Sequence, residues 1–112
     1  MESWNLPKLC DQQIALARAS TSGRAAHTIH GGHEHALRQT VIALAAGNGL
    51  DEHESPEEAT LHVLAGRVRL GAGDEFWIGV QGDFLIIPPA RHSVHAVVDA
   101  AILLTVAVKT SR

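Results

Sequence analysis

The chain has 112 residues, 46% of them hydrophobic, with 12 acidic and 9 basic side chains and a formal charge of −3 at neutral pH. That length buries one core and not two, and a mildly acidic chain without a basic block gives no reason to expect nucleic acid or a membrane surface as partner. Cys10 is the only cysteine, which excludes an intrachain disulfide, and the start Met1-Glu2-Ser3-Trp4-Asn5 lacks the basic, then apolar, pattern of a secretion signal. The longest apolar stretch, Val97 to Val108, is interrupted by Asp99 and too short to span a bilayer. A cytoplasmic protein is the expectation.

Residues 5 to 20 read as a helix. Asn5 caps it, Pro7 suits its first turn, and Leu6, Leu9, Ile14, Leu16 and Ala17 form an apolar stripe that ends at Ser20-Thr21-Ser22-Gly23. Within it Cys10 reads as an inert, half-buried thiol. From residue 25 onward the period changes to that of strands. Ala25 to Ile29 and Leu37 to Ala45 flank a Gly31-Gly32-His33-Glu34-His35 turn, and Gly47-Asn48-Gly49 is a further break. Thr60 to Leu64 and Arg67 to Leu70 surround Ala65-Gly66. Glu75 to Val80 follows the Gly71-Ala72-Gly73-Asp74 turn and pairs Phe76 with Trp77, one of which must face inward and the other outward. Phe84 to Ile87 stops at Pro88-Pro89, and Val94 to Val98 and Ala101 to Val108 complete the set. Turns every 8 to 12 residues between short strands predict an all-β sandwich or barrel. The organisation is a helix and arm over residues 1–24, followed by one β-domain over residues 25–112.

Two segments carry motif-like spacing. Gly49 to Gly66 contains His53, the strand Thr60-Leu61-His62-Val63-Leu64 and the turn glycine, and Gly82-Asp83 is followed by Ile87-Pro88-Pro89 and His92. These stretches resemble the two consensus motifs of the cupin superfamily, over about residues 37 to 108. The resemblance implies a double-stranded β-helix, or jelly-roll barrel, with one N-terminal helix outside it, and a homodimer. It also implies a metal site of three histidines and one glutamate suited to divalent iron, manganese, nickel or zinc.

Here the motifs depart from that pattern. His53 falls on the first histidine position, but Ser55 stands at the second, and Ala59 stands where the glutamate belongs. Pro88-Pro89-Ala90-Arg91-His92 is one residue short, so the last position is either His92 or Ser93, the latter sharing a strand face with His95. A reduced metal set of His53, His92 and either Glu57 or Glu58 remains, the acid being brought inward by a bulge. The same pocket would use His53, Arg91, His92 and His95 to contact a ligand, with Arg91 suited to a carboxylate. His62 has the opposite parity to Ala59 and reads as an outer-face residue, and His27, His30, His33 and His35 match no zinc spacing and read as surface or interface residues. Three functions follow: binding of a small molecule in the barrel, a metal-dependent oxygenase or isomerase reaction, or a structural dimerisation unit without a ligand.

Overall fold

The computed structural model describes residues 1–54 and 58–107. Among them are one helix, α1 (Leu6–Ala19), and nine strands: β1 (Arg24–His30), β2 (Leu37–Leu44), β3 (Gly49–His53), β4 (Glu58–Ala65), β5 (Arg67–Ala72), β6 (Glu75–Val80), β7 (Phe84–Ile86), β8 (His92–Ala96) and β9 (Ala100–Ala107). The helix starts where its cap dictates: Asn5 Oδ1 accepts the Lys8 N–H at 2.9 Å, and Pro7 sits in the first turn, where an N–H would be unpaired in any case. It ends with the Ser20 N–H bonded to the Ala17 carbonyl, and Gly23, at φ 70°, turns the chain into β1.

The strands form two antiparallel sheets, in the orders β1-β2-β9-β4-β7 and β3-β8-β5-β6. Period-2 alternation sends Leu61, Val63, Leu44 and Ile102 of the first sheet inward against Val68, Leu70, Val94 and Ala96 of the second. Each fully buried aliphatic side chain stabilises this core by roughly 1.5–3 kcal/mol. The intervening β4 residues, Thr60, His62 and Leu64, lie on the outer face, so His62 sits where its parity predicts. On β6, Trp77 packs inward and Phe76 is exposed. The β4–β5 turn needs glycine at position 66: its φ is 78°, and a Cβ there would collide with the backbone of Asp99 and Ala100.

Helix α1 covers the outer face of the five-stranded sheet, where Leu9 and Cys10 meet Val41 and Ala101. Asp99 staples it in place. One carboxylate oxygen accepts the Ala46 N–H at 2.8 Å and the other takes the Arg18 side chain from the last helical turn, joining the helix to the β2–β3 and β8–β9 turns. No described helix is long and apolar enough to cross a membrane. Strand β3 is absent from the sequence prediction because Leu50 is its only large apolar residue. β8 starts two residues earlier than expected because His92, which is polar, is built into its buried face.

Candidate functional site

Of the residues expected at the site, His53, Arg91 and His92 come together at one end of the four-stranded sheet. After Pro88-Pro89, β8 turns His92, Val94 and Ala96 inward, and His92 is 2% exposed. The uncertain motif position is therefore His92 and not Ser93. His95 lies on the opposite face of β8, exposed, and does not join the pocket expected of it, because a one-residue offset reverses a side chain's direction on a strand. β3 pairs with β8, and an irregularity between Leu50 and His53 brings His53 opposite His92. Their rings meet edge to face with centroids 4.4 Å apart. Nδ1 of His53 lies 2.9 Å from the Asp51 carbonyl, and Nδ1 of His92 lies 3.0 Å from that of Ala90. A carbonyl only accepts, so each Nδ1 carries a proton, and in the neutral ring Nε2 keeps its lone pair.

Arg91, next in sequence, is not a free anchor. Its Nε is 3.1 Å from Glu52 Oε1 and its Nη1 is 3.8 Å from Glu54 Oε1, all three side chains being exposed at the rim. Solvated pairs of this kind contribute less than about 1 kcal/mol, yet they neutralise the cation that would otherwise recruit a carboxylate.

The β5–β8 register runs from Val68 with Ala96 to Gly71 with Ser93, the residue after His92, and the next residue of β5, Ala72, is paired with Glu75 on β6. The His53–His92 pair and the Ala72–Glu75 pair therefore lie at the same end of this sheet, with His92 buried and His53 and Glu75 exposed. A cavity of about 120 Å³ at that end is lined by Leu70, Ala72, Glu75, Phe76, Trp77, Leu85 and Pro88, and the two histidines are not part of its lining. Glu75 is the site residue that sequence reasoning missed. Its shared parity with Trp77 was the available signal.

No family model and no curated protein matches the sequence. Solved structures do match the fold. An RmlC-like cupin protein from Desulfovibrio desulfuricans is 24% identical with a TM-score of 0.72, over 96% of each chain. A protein of unknown function from Streptococcus pyogenes is 22% identical with a TM-score of 0.72, over 82% of this chain and 80% of that one. The chain has the cupin fold. The salicylate 1,2-dioxygenase of Pseudoaminobacter salicylatoxidans shares it at 17% identity and a TM-score of 0.74, over 93% of this chain and 34% of the enzyme. At these identities the likeness is one of architecture, and chemistry has to be argued from side chains.

For this cupin barrel, the described side chains do not fit a resident divalent metal. Ala59 is inward-facing but offers only a methyl group. Glu58 is exposed on the outer face, because β4 keeps regular register with β9 from Glu58 to Val63 and no bulge turns the acid inward. Ser55 and Glu57 lie outside the described residues. Among the described residues no three His, Cys, Asp or Glu side chains converge, and two imidazoles fall short of the three or four donors of a stable site.

Three other histidines make ring contacts outside the barrel. His27 packs edge-on against Trp4 with centroids 5.1 Å apart, and His30 lies against His35 at 4.6 Å. All four histidines of that segment are exposed, as a surface reading requires. Cys10 is more deeply buried than expected, and burial, with the neighbouring Asp11 carboxylate, pushes its thiol above its ordinary range.

Proposed function

We propose that this cupin domain binds a small organic molecule bearing hydrogen-bond donors, a polyol or an amine with an apolar portion, at the open end of the barrel. The observation that carries the reading is the His53–His92 pair, tied through Nδ1 to backbone carbonyls, at the same end of the sheet as Glu75 and the apolar cavity that Glu75 lines. Two Nε2 lone pairs and a carboxylate accept hydrogen bonds, so the complementary ligand donates them. A carboxylic acid is disfavoured, since the neighbouring Arg91 is held by Glu52 and Glu54. The 120 Å³ cavity limits the enclosed part of the ligand. It is slightly smaller than a pocket of about 150 Å³ that accepts benzene, so the ligand's polar part remains at the rim.

The test is a thermal-shift panel of polyols, primary amines and carboxylic acids on untagged protein, with metal content measured on the same sample. Polyols or amines should raise the melting temperature, and His53→Ala should abolish the effect. Glu75→Gln should weaken amines more than polyols, because only the amines use its charge. Stabilisation by acids alone, or stabilisation indifferent to both substitutions, would overturn the reading. About one metal ion per chain, lost in His53→Ala, would overturn it in favour of the metal-dependent oxygenase or isomerase.

A further inference from the structure

The cavity at the histidine end of the barrel is shaped by one missing side chain. Glu75, Trp77 and Gly79 occupy alternate places on β6 and therefore share its inner face. A Cβ at position 79 would collide with Cη2, Cζ3 and Cζ2 of Trp77, so the tip of the six-membered ring fills the place that a larger residue would take. The indole thus runs from residue 77 toward residue 79, away from Glu75, and the space between Trp77 and Glu75 stays open. Both residues line the cavity of about 120 Å³. On β5, Leu70 is paired with Trp77 and Ala72 with Glu75, and Leu85 of β7 and Pro88 after it complete the wall.

Glu75 is the only ionised side chain of that wall, and no cation among the described residues pairs with it. Arg69 of the adjacent strand is turned to the outer face, where its guanidinium lies 4.4 Å from the centre of the Phe76 ring. An occupant of the cavity therefore meets a carboxylate and an indole, and both attract a cation. The wall also limits which cation. A primary ammonium has three N–H donors, of which the carboxylate takes one or two. Beyond Glu75 the lining side chains are aliphatic or aromatic, and the indole N–H only donates, so a remaining donor is left unpaired. N-methyl groups need no acceptor and pack against Leu70, Leu85 and Pro88 as any apolar group does, while the positive charge stays available to Glu75 and the ring.

We infer that this cavity takes the methylated ammonium head of an amino alcohol, held by Glu75 and Trp77, and that the ligand's hydroxyl is left for the His53–His92 pair at the same end of the sheet. The inference rests on the ligand-binding reading above and narrows it: the apolar portion that enters the cavity is the shell of N-methyl groups, and the hydrogen-bond donor stays at the rim. Gly79 is then a specificity-determining position although it touches no ligand, since any side chain there drives the indole toward Glu75 and closes the space between them.

Calorimetric titration of the untagged protein with choline, with its neutral isostere in which carbon replaces nitrogen, and with ethanolamine separates charge from methylation. Choline should bind about tenfold more tightly than either of the others. Glu75→Gln should bring choline down to the affinity of the neutral isostere and leave the isostere unchanged. Gly79→Ala should abolish choline binding. Trp77→Leu keeps an apolar wall without the ring and should weaken choline alone, which preserves the test should Gly79→Ala fail to fold by circular dichroism. In a Trp4→Phe background Trp77 is the only tryptophan, and its fluorescence should change on adding choline and not in Glu75→Gln. Equal affinity for choline and either analogue, or a preference for choline that survives Glu75→Gln, overturns the inference and leaves the ligand-binding reading standing where His53→Ala still abolishes binding. Binding of none of these compounds and of no polyol overturns both.

Discussion

Replacing Gln13 by Met should make the protein more stable. Gln13 lies on the sheet-facing side of α1 with Leu9, Cys10 and Ala17, is 6% exposed, and its Oε1 is buried without a hydrogen-bond partner among the described residues. A buried acceptor left unpaired costs about 1–3 kcal/mol, and Met fills nearly the same volume with equal helix propensity. Allowing about 1 kcal/mol for whatever bond the Nε2 end gives up, the expected gain is roughly 1 kcal/mol. Urea unfolding reads it directly. With a slope of about 1–1.5 kcal/mol per molar for a chain of this size, the midpoint should rise by somewhat under 1 M with no change in slope. A midpoint lowered by more than about 0.5 M would refute the reasoning and point to a buried water bridging Oε1 to the sheet.

Leu61→Ala, at a fully buried inner position, should cost about 3–4 kcal/mol in the same assay, and a loss below 1.5 kcal/mol would mean the barrel collapses around the vacancy. Asp99 has its carboxyl held below its ordinary 3.8 by the Ala46 N–H and then by Arg18. A lowered folded value contributes stability above the ordinary range that is lost as pH falls through the folded value. Asp99→Asn should therefore be less stable than wild type at pH 7, with the gap closing below about pH 4, and urea titrations at several pH values check it. Cys10 should react with a thiol reagent far more slowly in the native protein than in urea, since it is buried and its thiolate is disfavoured. Equal rates would place the thiol at the surface.

The order of strands was legible wherever alternation was strong. Leu61 and Val63 against His62, and Val68 and Leu70 against the two arginines, announce both the strand and the face it buries. β3 was not legible, because an edge strand with one large apolar residue has no hydrophobic period and owes its existence to pairing with β8. The histidine pair was half legible: spacing nominated His53 and His92 but left the phase of β8 open between His92 and Ser93. Phase is a property of register, which the whole sheet decides. Glu75 escaped because a charged residue beside a turn looks solvated, and only its pairing with Ala72 and its place in the cavity wall bring it to this end of the barrel. The N-terminal helix was readable as a helix, but its Asp99 staple joins residues 81 positions apart and no local pattern announces it.

The missing acid can be put back to test the geometry of the histidine pair. Position 59 faces inward, is 6% exposed, and precedes Gly66 by the spacing at which the resemblance expects glutamate. Ala59→Glu buries a carboxylate on the inner face, where the resemblance would direct it toward the two imidazoles. Without a metal it should lower stability at pH 7 by roughly 2–4 kcal/mol, with part of that loss recovered on acidification as the carboxyl takes up a proton. Three donors then face one ion. Nickel or zinc at about a hundred times its dissociation constant should return about 2.7 kcal/mol. Ala59→Gln matches the size without the charge and should gain nothing comparable, and adding His53→Ala to Ala59→Glu should remove the metal response. Should Ala59→Glu fold but remain indifferent to every divalent ion, position 59 and the histidine pair do not look onto the same space, and the pair serves hydrogen bonding from its own side of the barrel.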